Sequence, residues 1–176
     1  MRSFCLLLIL LYTLSGCQPA SPEKYFDVAV LNTNMIQGFT AGGLERELRM
    51  PSVKAVAGSN ETVAMQRREV VEEQVQFMEA TYAKIKDLPE TGDTRTMLQC
   101  AKDLYAFALP VYHKEYKELA RLYDTGAEPA RIETMTADLH RKYDATFEVL
   151  YGKLVDAGKV YAEKHKIKVN WNGYGQ

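Results

Sequence analysis

PARIETMTADLHRKYDATFEVLYGKLVDAGKVYAEKHK, residues 129–166, is the stretch whose reading decides the fold. Its apolar residues fall at Ile132, Met135, Leu139, Tyr143, Phe147, Leu150, Leu154, Ala157 and Tyr161. Steps of three and four over some thirty residues place one apolar stripe on one face of a long α-helix. Glu128-Pro129 opens it, since proline is tolerated at a first helical position, where no N–H is needed. Lys164-His165-Lys166 closes it, at the end where the helix dipole favours cations. A stripe of this length cannot satisfy itself and requires partner helices.

Working towards the N-terminus, Asp124-Thr125-Gly126 ends a preceding helix over about 94–123. Its stripe runs Met97, Ala101, Leu104, Ala108, Val111, then slips by one residue to Tyr112, Tyr116, Leu119 and Tyr123. Pro110 lies at the slip, and a proline inside a helix removes one backbone hydrogen bond, so a kink is expected there. A further helix is expected from Asn60-Glu61 to Leu88, stopped by Pro89, with Val71, Val75, Met78, Tyr82 and Ile85 as its seam. Asp93 is the expected N-cap of the helix that follows. Ser21-Pro22-Glu23 opens a first, shorter helix carrying Val28, Leu31, Met35 and Phe39 inward, broken by Gly38 and Gly42-Gly43. Leu44–Met50 reads as a short helical turn, and residues 51–60 as a linker without a pattern. No alternating strand pattern and no internal repeat is evident. The expectation is an all-α, antiparallel up-down bundle of about four helices over 22–168, the third kinked at Pro110, with a non-helical tail over 169–176.

The first seventeen residues carry a different signal. Arg2 precedes an apolar run from Phe4 to Leu11, too short for the about 20 residues that span a bilayer. Leu14-Ser15-Gly16-Cys17 follows, and this ending resembles the lipobox of bacterial lipoproteins. The resemblance implies cleavage before Cys17, removing residues 1–16, and acylation of Cys17. The lipid bilayer then becomes a partner through two or three acyl chains, which hold stably where one would be marginal. Gln18, rather than Asp, after the cysteine implies the outer membrane, facing the periplasm. Residues 17–21 form only a short tether, so the domain stays near the bilayer surface.

Composition narrows the chemistry. The 22 basic and 23 acidic residues give a net charge of −1, one unit more negative once Arg2 leaves, and no basic stripe is present, so no nucleic-acid partner is expected. Of three cysteines, Cys5 leaves with the signal and Cys17 is acylated. Cys100 remains alone in a helical apolar pattern, a buried structural thiol with no disulfide partner.

His113, His140 and His165 form no metal motif, and Met35, Met78, Met97 and Met135 read as core filler. His140 and Asp144, one turn apart, fit a surface ion pair. There is no Cys-x-x-Cys-His, no Gly-x-Ser-x-Gly and no phosphate loop, so no cofactor and no catalysis is expected. The least bland internal feature is the set of inward tyrosines. Tyr112, Tyr116, Tyr143 and Tyr161, with Pro110, are the candidate pocket or partner surface, because a buried phenol must place its hydroxyl on a partner or in a cavity. Trp171 and Tyr174 in the tail are a second candidate contact. The leading expectation is a lipid-anchored envelope protein that works through contacts with another envelope protein, as an accessory subunit or an immunity-type inhibitor. The alternative is a small-ligand bundle with a tyrosine-lined pocket near Pro110.

Overall fold

A computed structural model describes residues 20–36, 38–39, 43–50 and 53–171. The signal segment 1–16, Cys17, Gln18 and Tyr174 lie outside the described residues.

The described chain is mostly helical. Helix α1 spans Pro22–Ala29, started as its sequence demands: Ser21 accepts from the Lys24 N–H at 3.2 Å and Pro22 takes the first position. The chain then tightens into a 3-10 turn over Leu31–Met35 instead of continuing as α-helix to Phe39. Three residues per turn in place of 3.6 swing Met35 off the inward stripe, and it is 40% exposed, contrary to the expected burial. Helix α2 covers Gly43–Arg49 and buries Leu44, Glu45 and Leu48.

A hairpin follows where the sequence reading expected only a linker. Strand β1, Val53–Ala55, pairs antiparallel with β2, Thr62–Ala64, in the register Val53↔Ala64. Gly58 supplies the positive φ (78°) of its turn. Both strands are three residues long and exposed on both faces, so no sustained alternation of buried and exposed residues marked them. The hairpin also uses the residues that would have opened the next helix. Helix α3 therefore starts at Arg67, not near Asn60, and runs to Asp87. Its first turn is capped twice: Glu69 accepts from the Gln66 N–H at 3.2 Å, and Asp124 accepts from the N–H groups of Arg67 and Arg68 at 2.8 and 3.0 Å.

Helix α4, Arg95–Val111, is preceded by Thr94, which exchanges hydrogen bonds with Thr91. Asp93, the expected cap, is instead paired with Lys164 at 2.7 Å. After Pro110 the helix passes through a π-turn, Tyr112–Tyr116, and resumes as α5, Lys117–Asp124. The Lys117 N–H reaches back to the Tyr112 carbonyl, five residues earlier. One extra residue in the turn is the physical cause of the one-residue slip in the apolar stripe, and it lets Val111, Tyr112 and Tyr116 all be buried.

Helix α6, Pro129–Lys164, is about 54 Å long at 1.5 Å per residue. It packs along α4 and α5, while α3 packs on α4 and α5, and α1 lies against α3, α4 and α6. Gly158 permits that last contact, since a Cβ there would stand 3.1 Å from Val30. Lys166 closes α6 with φ 57°, and the Ile167 N–H returns to the Ala162 carbonyl at 2.8 Å, a Schellman closure. Beyond it, residues 167–171 form a non-helical strap with Ile167, Val169 and Trp171 packed on the core, while Lys168 and Asn170, like Lys166, face outward. Trp171 meets Phe26 edge to face at 5.8 Å.

Candidate functional site

The four tyrosines singled out from the sequence do not converge on one pocket. Tyr112 and Tyr116, at either end of the π-turn, are fully buried with ring centroids 4.8 Å apart. Together they grip one residue of the chain: the Gly38 N–H donates to the Tyr112 hydroxyl at 2.6 Å, and the Tyr116 hydroxyl donates to the Gly38 carbonyl. A Cβ on residue 38 would stand 2.7 Å from the Tyr116 ring, so glycine is required by the close approach. Phe39 beside it stacks on Phe147 at 4.5 Å and meets both tyrosine rings at about 6 Å. These two hydroxyls hold the segment after the 3-10 turn against the π-turn.

Tyr143 instead lines a surface cleft of about 690 Å³ between α5 and α6, with Glu115, Arg131, Asp138 and Lys142. Its hydroxyl donates to Glu115 at 3.2 Å. Tyr161 lies towards the far end of α6, 4.3 Å from the His165 ring, and borders a second cleft of about 570 Å³ that contains Cys100, Met97, Val160 and Lys153. Burial, and Asp103 beside it, push the Cys100 thiol up, which keeps it protonated and a poor nucleophile. Pro110 is exposed and sits two residues before the π-turn.

The most unusual chemistry is one the sequence reading missed. His140 Nδ1 and Asp144 Oδ2 pair at 2.7 Å, as their spacing predicts, but the pair is not a bland surface one. His140 Nε2 stands 3.3 Å from Glu45 Oε1, and Glu45 is 2% exposed. That distance suits an ion pair, yet the approach lacks hydrogen-bond alignment, and neither Glu45 oxygen has a hydrogen-bond partner among the described residues. Burial raises the Glu45 carboxyl above its ordinary range, and Asp144 adds to this, while its own backbone, His140 and Arg49 pull the other way. Tyr116, close enough to feel Glu45, Tyr112 and Asp144, is pushed far up, chiefly by burial.

Nothing in Gly43-Leu44-Glu45-Arg46-Glu47-Leu48-Arg49 distinguishes Glu45 from exposed Glu47, because both lie beside the Leu44/Leu48 pair. Among the described residues, no three His, Cys, Asp or Glu side chains gather in a way that could hold a metal ion.

Two of the exposed apolar side chains, Met35 and Val53, 40% and 60% exposed, line a groove of about 480 Å³ beside the hairpin, with Met65, Val70 and Phe77 and with Glu47, Glu73 and Gln74. No helix among the described residues is long and apolar enough to cross a membrane. Comparison with known proteins finds no matching family model, no matching curated protein and no matching solved structure.

Proposed function

We propose that this chain is a lipid-anchored protein of the bacterial envelope, held at the outer membrane through acylated Cys17, and that it works without catalysis by docking another envelope protein. The arrangement we infer for the domain is an antiparallel up-down bundle of four principal helical runs, bent at Pro110. The observation that carries the docking reading is the groove of Met35, Val53, Met65, Val70 and Phe77 beside a two-faced exposed hairpin. A core that closes over its largest tyrosines yet leaves Met35 and Val53 in water at this groove has a reason to expect a partner there.

The position of the groove supports the same reading. Tyr25 in α1 donates to the Pro89 carbonyl at 2.9 Å, so the start of α1 lies at the C-terminal end of α3. The hairpin precedes the opposite end of that helix, about 31 Å away for 21 residues. A tethered domain would thus present this groove, which Glu47, Glu73 and Gln74 also line, away from the bilayer. The test is a photo-crosslinking amino acid at Val53 or Phe77 in the full-length protein in its own envelope, with Val149 as the control position. One discrete adduct from the groove positions and none from Val149 supports the reading. Identical adducts from all three, or none from the groove, removes it.

A second reading, a small-ligand site, draws on the Tyr143 cleft, whose roughly 690 Å³ and mixed Glu115, Arg131 and Lys142 lining fit a small zwitterion. A ligand there would raise the melting temperature of the native chain and lose that effect in Tyr143→Ala.

A further inference from the structure

We propose that the end of the domain formed by the start of α1, the 88–94 connection and the strap 165–171 rests on an anionic lipid surface, with Lys166 and Lys168 towards the headgroups and Trp171 at the interface. This rests on the reading of Cys17 as an acylated anchor. Five peptide steps separate Cys17 from Pro22, and a fully extended chain covers at most about 3.3–3.6 Å in each. The start of α1 then lies within about 18 Å of the acyl chains.

The structure identifies what else shares that end. Tyr25 bonds Pro89 of the connection, Asp93 of the connection pairs with Lys164, and Trp171 packs on Phe26, one turn into α1. Between 164 and 171 the chain carries three lysines and no acidic residue. Its alternation turns Lys166 and Lys168 outward while Ile167, Val169 and Trp171 hold the strap down. The lysines are thus held by a docked backbone, which lowers the ordering cost of placing them on a charged surface.

Of the acids at this end, Asp93 is tied to Lys164 and Glu90 to Lys102 at 2.6 Å, while exposed Glu23, Asp27, Asp87 and Glu163 remain as opposing charges. Lys159 lies over the Trp171 ring at 5.8 Å and adds a further cation beside it. Basic side chains next to an amphipathic indole suit the headgroup layer of a negatively charged bilayer.

Trp171 is the single tryptophan of the chain and therefore reports on its own position. The full-length lipidated protein is reconstituted into phosphatidylcholine vesicles, with or without about 30% phosphatidylglycerol, containing chain-brominated lipid, and its fluorescence is read. The expected result is stronger quenching on the anionic vesicles, reduced by about 0.5 M NaCl through screening. Lys166→Gln/Lys168→Glu should fall to the quenching seen on neutral vesicles while keeping the same circular dichroism spectrum. Equal quenching on both vesicles, unmoved by salt or by the double variant, would overturn the proposal. The mass of the Cys17 peptide separates the two failures. Acylated Cys17 with indifferent Trp171 removes the surface contact alone, whereas unacylated Cys17 removes the anchor and this inference with it.

Discussion

Glu45→Gln should make this protein more stable at neutral pH and leave it unchanged in acid. Glu45 is 2% exposed, neither of its oxygens has a hydrogen-bond partner among the described residues, and burial raises its carboxyl above the ordinary value of 4.5. The sign follows from proton counting. Between the unfolded value and the raised folded one, the folded chain holds more protons than the unfolded chain, so stability falls as pH rises through that window. Below the unfolded value Glu45 is protonated in both states and resembles glutamine. Above the folded value the wild type buries a carboxylate against His140 Nε2, and an unsatisfied buried group of this kind costs about 1–3 kcal/mol. The glutamine variant keeps a buried polar group but avoids burying a charge, the larger cost. Urea denaturation followed by far-ultraviolet circular dichroism, at neutral pH and at about pH 4, reads the difference directly. A higher midpoint for the variant at neutral pH, vanishing in acid, is the expected result. A variant less stable at neutral pH would refute the reasoning, because it would mean that an ionised Glu45 stabilises the fold by pairing with a charged His140.

Three further substitutions probe contacts described above. Gly38→Ala forces a Cβ to 2.7 Å from a Tyr116 ring that cannot retreat, and should lower stability by about 1–3 kcal/mol in the same denaturation assay. Lys166→Gly relieves a left-handed backbone at the end of α6 and should gain about 1 kcal/mol, seen as a higher melting temperature. Asp124→Ala removes the acceptor for two N–H groups at the start of α3 and should cost about 1 kcal/mol, with amide exchange accelerating at residues 67–68.

What the sequence made legible follows the range of the interaction behind each feature. The long helix over 129–164 was readable because its stripe repeats the same local rule for about ten turns. The slip after Val111 was readable as a break in phase, and Pro110 pointed to the place; that the break is a π-turn became visible only from the Lys117–Tyr112 hydrogen bond. The hairpin was not readable, because β1 and β2 are exposed on both faces and three residues each are too few to establish a period of two. Asp93 and Asp124 both looked like local terminators. Their actual partners, Lys164 and the first N–H groups of α3, lie 71 and 57 residues away, beyond any window of periodicity.

The tyrosines and Glu45 expose the deeper reason. Inward spacing correctly buried Tyr112 and Tyr116, but it could not tell a pocket lining from a clamp, since that depends on Gly38, more than seventy residues away. His140 and Asp144 carried a one-turn signature, so half of the polar cluster was written locally. The other half, Glu45, is fixed only when α2 packs its Leu44 and Leu48 inward and carries the adjacent side chain with them. Leucine or glutamine at that position would serve the packing at lower cost, because neither brings a carboxylate out of water. The buried cluster is therefore the part of the fold least explained by stability, and the neutral-pH behaviour of Glu45→Gln measures how much stability the chain gives up to keep it.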